Sequence, residues 1–195
     1  MPHFILKYFF GGIIELRKKS FDTHTLVKIA MMTAISLVLL LLVRIPYPMA
    51  PFLVYDPADV PIYITAFAMG PIPGLIVTFI VCFIQAFLLG GDGIYGFVMH
   101  FIATGLVAVV MGCIYNKHKT KKAAIIALSV SVLLVVVVMC IMNYFVTASF
   151  IGVDKSAVLA MIPTVIIPFN LFKAGLNSLL TFLLYKKISK LLHKY

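Results

Sequence analysis

Three polar side chains share one face of an otherwise apolar segment near the end of the chain. Asn170, Lys173 and Asn177 lie between about residues 158 and 185, at the i, i+3, i+7 spacing that places them on one side of a helix. A charge at the centre of a bilayer costs at least ~2.5–3.5 kcal/mol, so such a lysine requires an acceptor, a counter-ion or water. Amides donate and accept hydrogen bonds, whereas lysine only donates. This face predicts a site for a neutral heterocycle with adjacent carbonyls and an N–H, or for a small carboxylate.

A purely structural role for Lys173 is the alternative interpretation. The ammonium group could snorkel to the headgroups, or it could pair with Asp56 or Asp59. Lys173 precedes the next lysine pair by about a dozen residues, roughly 18 Å of helix, which is a long reach for snorkelling. We therefore favour the ligand role, and we expect Asn143, an amide in the preceding apolar segment, to join the site.

Motifs of catalytic, metal and nucleotide sites are missing from the sequence. It contains no Gly-x-x-x-x-Gly-Lys-Ser/Thr phosphate loop, no His-Glu-x-x-His and no Gly-x-Ser-x-Gly. The three cysteines lie in apolar runs without Cys-x-x-Cys spacing, so we expect neither a metal site nor a disulfide. His100 and Gln85, each alone in an apolar segment, are interpreted as helix-packing residues, and the alternative is a functional role, which for His100 would be a ligand contact or a proton relay. These observations predict that the chain is not an enzyme.

The composition is that of an integral membrane protein. Of the 195 residues, 63% are hydrophobic and only 11% are charged, and the mean hydropathy is +1.14, which exceeds what a soluble domain of this size can bury. The net charge of +10 does not indicate nucleic acid, because the basic residues flank the apolar segments. We predict one all-α membrane domain over residues 1–195.

Apolar segments and breaks predict six transmembrane helices within residues 26–186, preceded by an interfacial cytoplasmic segment at residues 1–22. The expected spans are residues 26–45, two short helices between 61 and 89 separated at the Gly-Pro-Ile-Pro-Gly of residues 70–74, then 94–115, 123–146 and 158–185. Cations cluster at residues 17–19, 117–122 and 186–194. The positive-inside rule therefore places both termini in the cytoplasm.

Two further features concern the surfaces of the predicted bundle. Five prolines between residues 46 and 61 forbid a continuous helix, so this loop is either a lid over a cavity or a plain connector in which Asp56 or Asp59 caps the next helix. Ala30 and Ala34 form a small-x-x-x-small pair that lets another helix approach closely.

Several motifs together resemble the substrate-binding S components of energy-coupling factor (ECF) vitamin transporters. They are Ala30-x-x-x-Ala34, the Tyr-Asp-Pro-Ala-Asp-Val-Pro of residues 55–61, the Ala-Met-Gly-Pro-Ile-Pro-Gly of 68–74 and the Pro-Phe-Asn-Leu-Phe-Lys of 168–173. The resemblance implies a six-helix protein of the cell membrane that binds a vitamin at its outer face. It implies three partners, namely a transmembrane coupling subunit that contacts Ala30 and Ala34 and two subunits that hydrolyse ATP.

Within this family the chain is most similar to the riboflavin type, in which an Asn of the fifth helix and the Asn-x-x-Lys of the sixth contact the flavin ring. The resemblance thus implies substrate contacts at Asn143, Asn170 and Lys173, and it adds Tyr55 and Asp56 of the shared motif. The Asp-Pro-Ala-Asp of residues 56–59 departs from the Asp-Phe-Ser-Asp frequent in riboflavin-type members. Pantothenate, whose carboxylate Lys173 could pair, is the alternative vitamin, and a stand-alone secondary transporter is the alternative class.

Overall fold

The computed structural model describes residues 22–89 and 93–194. Within these residues the chain folds into six helices and one two-stranded sheet. The predicted interfacial segment lies outside the described residues, except for Asp22. The bounds are α1 Thr23–Leu42, β1 Ile45–Tyr47, β2 Ala50–Tyr55, α2 Asp59–Met69, α3 Pro71–Phe87, α4 Gly93–His118, α5 Lys121–Ile151 and α6 Lys155–Lys194.

Four of the described helices, α1, α4, α5 and α6, are long and apolar enough to cross a membrane. The other two are shorter, with 11 residues in α2 and 17 in α3. At 1.5 Å per residue these correspond to roughly 16 and 26 Å, less than the ~30 Å of a bilayer core. Large apolar side chains such as Leu42 and Leu133, 76% and 65% exposed, cover the outside of the bundle. This surface is suited to lipid.

Polar caps explain why two helices begin before their first apolar residue. Asp22 accepts a hydrogen bond from the backbone N–H of Thr25 at 3.0 Å, and α1 therefore begins at Thr23 rather than near residue 26. Thr120 accepts from the N–H of Ala123 at 3.1 Å and starts α5 at residue 121. The apolar pattern locates the helix, and the cap fixes its first turn.

The predicted break between residues 61 and 89 is confirmed, and it is a single residue wide. Gly70, with φ 101°, ends α2, and Pro71 opens α3. The start of α3 packs directly on α4, since a Cβ at Gly112 would lie 2.8 Å from the backbone nitrogen of Pro71. A side chain larger than hydrogen does not fit at Gly112.

The all-α prediction is wrong in one element. β1 and β2 pair antiparallel, with Ile45 opposite Tyr55, and form a hairpin. The prolines exclude a helix here, while the apolar and aromatic run Phe52-Leu53-Val54-Tyr55 favours a strand. The buried side of β2 carries Ala50, Leu53 and Tyr55. The proline content masks this short strand pattern, so the sequence alone predicts only a loop here.

The bundle has two ends, which we call the hairpin end, at residues 45–55, and the lysine end, at residues 117–122. The core of the lysine half is packed by large side chains. Phe67 of α2 lies with its ring centroid 4.5 Å from that of Tyr115 and 5.5 Å from that of Tyr185. Helix α2 occupies the centre of the bundle, as every residue from Val60 to Ala68 is buried.

Candidate functional site

The hairpin half contains a cavity between β2, α2, α4, α5 and α6. It contains about 770 Å³ of space not filled by protein atoms, a volume that includes solvent open to the outside. Its lining is mainly apolar and aromatic, with a few polar groups. The polar and aromatic lining residues are Phe52, Asp59, Tyr63, Tyr95, His100, Thr104, Asn143, Thr147, Phe150, Phe169, Asn170 and Lys173.

The directions of the helices arrange these residues in layers. Helices α4 and α6 run from the hairpin end to the lysine end, and α5 runs the opposite way. Tyr95 and Phe150, with ring centroids 5.9 Å apart, therefore lie at the mouth of the cavity. Asp59, Tyr63 and Thr104 lie at its floor. The three predicted polar contacts, Asn143, Asn170 and Lys173, stand between mouth and floor.

Asn143 is fully buried at the start of a π turn, Asn143–Thr147, within α5. Its Nδ2 donates to the carbonyl of Met139 at 2.7 Å, and its Oδ1 accepts from the hydroxyl of Thr147 at 2.8 Å. The two bonds fix the amide, and one amide N–H remains for a ligand. π turns widen a helix locally and are frequent at functional sites. The turn brings both Asn143 and Thr147 to the lining.

Asn170 is held in a similar way on α6. Its Nδ2 donates to the carbonyl of Ile166 at 2.8 Å, and Ile166 is the last residue of a second π turn, Ile162–Ile166. Pro168 cannot donate a backbone hydrogen bond, and its ring crowds the preceding turn, which favours such a local widening. The amide of Asn170 is thus oriented while keeping its second N–H and its Oδ1 for a ligand.

Lys173 both lines the cavity and forms a buried ion pair. Its Nζ lies 2.8 Å from Oδ2 of Asp56 and 3.3 Å from the carbonyl oxygen of Val54 on β2. An ammonium group has three donors, so one remains for a ligand. The two roles that the sequence left open for Lys173 are therefore geometrically compatible. Pairing with Asp56 removes the cost of a lone charge at this depth.

Tyr55, Asp56 and Asn177, which were predicted as substrate contacts, do not belong to the described lining and form a layer behind Lys173. Asn177 is fully buried. It accepts from the hydroxyl of Tyr55 at 3.2 Å and donates to the carbonyl of Asp56 and to Oδ2 of Asp59, both at 3.2 Å. These residues join the base of the hairpin to α2 and α6. Their position suits support of the site rather than contact with a ligand.

The hairpin is also joined to α6 by aromatic rings. Tyr47 lies 5.4 Å from Phe169 and Tyr55 lies 5.7 Å from Phe172, measured between ring centroids. Phe52, Leu53 and Val54 of β2 line the cavity. The proline-rich stretch therefore forms one wall of the cavity, and its action as a lid stays a prediction.

The remaining predicted residues occupy distinct places. Ala30 and Ala34 lie on the exposed face of α1, whereas Ile29, Met32 and Ser36 face the bundle. His100 lines the cavity, and Gln85 is half-buried on α3 away from the described lining. Within the described residues, no group of three or more His, Cys, Asp or Glu side chains is placed to hold a metal ion.

Four lining residues are not predicted from the sequence, namely Asp59, Tyr63, Thr104 and Thr147. Thr104 and Thr147 are single hydroxyls in apolar helices, a pattern shared with many packing residues. Asp59 was considered only as a cap or a counter-ion. Asp59 follows Asp56 by three residues in the sequence. This short spacing could have indicated a second carboxylate at the same depth in the bundle.

Comparisons with known proteins agree on one family. The family profile described as "ECF transporter, substrate-specific component" matches residues 24–185. The chain is 28% identical over 176 residues to the Staphylococcus aureus (strain TCH60) protein named riboflavin transporter RibU, covering 87% of this chain and 92% of that protein. It also superposes with a TM-score of 0.73 on a solved structure described as the S component of a bacterial ECF transporter. That match has 30% identity and covers 86% of this chain and 96% of the other.

Proposed function

The chain belongs to the family of substrate-specific components of ECF transporters, and from this premise we propose that its cavity captures riboflavin for uptake into the cell. The observation that carries the proposal is the convergence of Asn143, Asn170 and Lys173 on one cavity. Each keeps at least one N–H donor for a ligand after its bonds within the protein are counted.

The flavin ring matches this set of groups. Its pyrimidine edge presents two carbonyl oxygens on either side of an N–H, which requires two donors and an acceptor. The N–H groups of Asn143 and Lys173 supply donors, and the amide of Asn170 supplies an acceptor or a donor. Phe52, Phe169 and Tyr95 offer aromatic surfaces for a planar ring. The similarity to a protein named riboflavin transporter supports the same substrate.

Pantothenate is the less favoured vitamin because of the ion pair of Lys173. A carboxylate ligand needs an available cation, and the ammonium of Lys173 already lies 2.8 Å from Asp56. Binding an anion there would require Lys173 to serve two carboxylates in a largely apolar surround. A neutral ligand needs only the remaining N–H.

The membrane arrangement follows from the same proposal. We place all six helices in the cell membrane as one domain, with the hairpin end outside and both termini in the cytoplasm. The lysines at 117, 119, 121 and 122 flank the loop between α4 and α5, and Lys186, Lys187 and Lys190 follow on α6 at the same end, which the positive-inside rule assigns to the cytoplasm. The short helices α2 and α3 run in tandem through Gly70. ATP hydrolysis falls to two partner subunits, reached through a transmembrane coupling subunit at Ala30 and Ala34.

Purification tests this proposal directly. The chain, expressed alone in a riboflavin-containing medium and purified in detergent, is expected to be yellow and to release riboflavin on denaturation. Stripped protein should then quench riboflavin fluorescence with a stoichiometry of one. A preparation that releases another vitamin, or that leaves riboflavin fluorescence unchanged, would contradict the proposed substrate. Co-purification with ATPase subunits separates an S component from a stand-alone secondary transporter.

A further inference from the structure

Thr147 uses its hydroxyl differently from four other threonines of the helices. Those four donate to the backbone carbonyl four residues earlier, which is a common bond for a threonine in a helix; they are Thr65, Thr78, Thr164 and Thr181. The hydroxyl of Thr147 instead donates to a side chain, Oδ1 of Asn143, at 2.8 Å. Both residues are buried, and both line the cavity. The hydroxyl of Thr147 therefore serves a residue of the site rather than the backbone of its own helix.

The π turn of α5 accounts for this contact. A π turn pairs a carbonyl with the N–H five residues later, one residue further than in an α-helix. Asn143 and Thr147 are the first and last residues of the turn, so it changes their relative position directly. Thr164 also lies in a π turn, but its acceptor Ala160 precedes that turn, and the usual bond to the backbone is kept. The π turn at residues 143–147 thus places the hydroxyl against the amide.

The amide of Asn143 is held from both directions along α5. Its Nδ2 donates to the carbonyl of Met139, one turn earlier, at 2.7 Å, and its Oδ1 accepts from Thr147, one turn later. Because an amide is planar, these two bonds fix which of its groups points into the cavity. A donor on the amide oxygen also polarises the amide and strengthens its N–H groups as donors. Asn143 is therefore prepared to donate to a ligand.

We propose that Thr147 is a positioning residue of the site, whose hydroxyl fixes the amide of Asn143 as a hydrogen-bond donor and so selects a ligand with a carbonyl oxygen at that point. The inference rests on the proposed function for the identity of the ligand. It adds a residue that acts on the ligand through Asn143 rather than by a polar contact of its own.

A double-mutant cycle tests this inference. Dissociation constants for riboflavin are measured on the purified full chain for the wild type, Thr147→Val, Asn143→Ala and the double variant. Valine keeps the shape of threonine and removes the hydroxyl, and Thr147→Ala replaces it in the cycle should the valine variant not fold. His100, which lines the same cavity, is present in all four proteins, so the comparison does not depend on its charge or its partners.

The cycle has one expected result and one contrary result. Thr147→Val should weaken riboflavin binding about fivefold, the effect of one hydrogen bond, whereas the same change in the Asn143→Ala background should have no effect. Equal losses in the two backgrounds would show that Thr147 acts independently of Asn143 and would overturn the inference.

Thr147→Ser and Thr164→Val are the matched controls. Serine keeps the hydroxyl, so Thr147→Ser should bind riboflavin as the wild type does, and a serine variant as weak as Thr147→Val would contradict the role of the hydroxyl. Thr164→Val makes the same change in the second π turn, at an exposed position, and its affinity should equal that of the wild type. A loss equal to that of Thr147→Val would mean that hydroxyls act through the helices in general, which would also overturn the inference.

The carbonyl stretching bands of bound riboflavin provide a readout that a purely structural role of Thr147 would not change. A hydrogen bond to a carbonyl oxygen lowers its stretching frequency. Loss of the donor at Asn143 should therefore raise the frequency of one flavin carbonyl band in both Thr147→Val and Asn143→Ala. Bands in Thr147→Val that match those of the wild type would refute the fixed donor.

The ligand-free protein separates a failure of this inference from a failure of the proposed function. A wild type that does not bind riboflavin refutes the proposed substrate. The anchoring of Asn143 is then judged by melting temperature: Thr147→Val should lower that of the wild type but not that of Asn143→Ala, in which the hydroxyl has lost its amide acceptor. Equal falls in the two backgrounds would overturn the inference.

Discussion

The two halves of the bundle use buried polar residues in different ways. In the lysine half, three buried hydroxyls each donate a hydrogen bond to a carbonyl of their own helix. Thr181 donates to the carbonyl of Asn177 at 2.7 Å, Thr78 to Gly74 at 2.8 Å and Ser131 to Ala127 at 2.7 Å. A hydroxyl has one proton, and that single bond satisfies it as a donor. These residues let helices pack closely without requiring a partner.

The hairpin half instead buries amides and charges. An asparagine has two donors and an acceptor, and a lysine has three donors, so one bond to the chain cannot satisfy either. Asn143 and Asn170 each donate one N–H to a carbonyl of their own helix. Lys173 donates two of its N–H groups, one to the carbonyl of Val54 and one to the carboxylate of Asp56. The remaining groups face a cavity rather than packed side chains. Excess hydrogen-bonding capacity next to empty space therefore distinguishes a binding site from a packed core.

The largest effect is expected on the exposed face of α1. Ala30→Leu or Ala34→Leu should abolish transport by the assembled system, because added bulk on a small-x-x-x-small face blocks the approach of a partner helix. Riboflavin binding to the isolated chain should stay unchanged. Uptake by cells and binding in detergent are measured in parallel.

Ala160→Leu is the control for this prediction, as it adds the same bulk to an exposed position of α6. Its transport should be normal. Loss of binding in the Ala30 and Ala34 variants would contradict the division of the molecule into a binding part and a coupling surface.

The next effect concerns the ion pair that the hairpin shares with α6. Lys173→Met leaves the carboxylate of Asp56 buried and unpaired, which costs about 3–5 kcal/mol, so the melting temperature without ligand should fall. It also removes one charge-assisted donor, and riboflavin affinity should fall roughly ten- to a hundredfold.

The double variant Lys173→Met with Asp56→Asn separates the two contributions. Removing both charges should restore most of the melting temperature while leaving the affinity low. If the double variant also recovers wild-type affinity, Lys173 serves only to balance Asp56, and its contact with the ligand is refuted.

A smaller effect is expected from the close packing of the lysine half. Gly112→Ala places a Cβ 2.8 Å from the backbone of Pro71, an overpacked contact that should cost about 1–3 kcal/mol in the free energy of unfolding. Gly175→Ala, also within a helix, meets no described atom within 4 Å and should be neutral or stabilising. Denaturation of both variants without ligand measures the difference, and equal stabilities would show that the lysine half is not tightly packed.

The smallest effect is expected in the mobility of the hairpin. A spin label at residue 47, which lies against Phe169, should become less mobile when riboflavin is added, because ligand under β2 gives the hairpin further contacts. A label at Val27, on the exposed face of α1, should not change. Equal spectra with and without saturating riboflavin would assign the hairpin as a connector.

Much of this architecture could be predicted from sequence periodicity and charge. Asn170, Lys173 and Asn177 do share a buried face, and the helix does break at Gly70. Which members of that face meet a ligand could not be predicted, because one turn of helix separates Lys173, at the cavity, from Asn177, packed behind it. That distinction depends on where β2 and the start of α2 enter the bundle, and neither was evident in a proline-rich stretch.

On the proposed function, the amides of the hairpin half contact riboflavin. Isothermal titration of riboflavin into the wild type and into Asn143→Ala with Asn170→Ala tests it most directly, with the melting temperature without ligand measured on the same samples. Two lost hydrogen bonds to the ligand of about 1 kcal/mol each predict an affinity lower by about thirtyfold, and the melting temperature should also fall because Thr147 loses its acceptor at Asn143. Affinity equal to that of the wild type in a folded double variant would place the flavin elsewhere and contradict the proposed site.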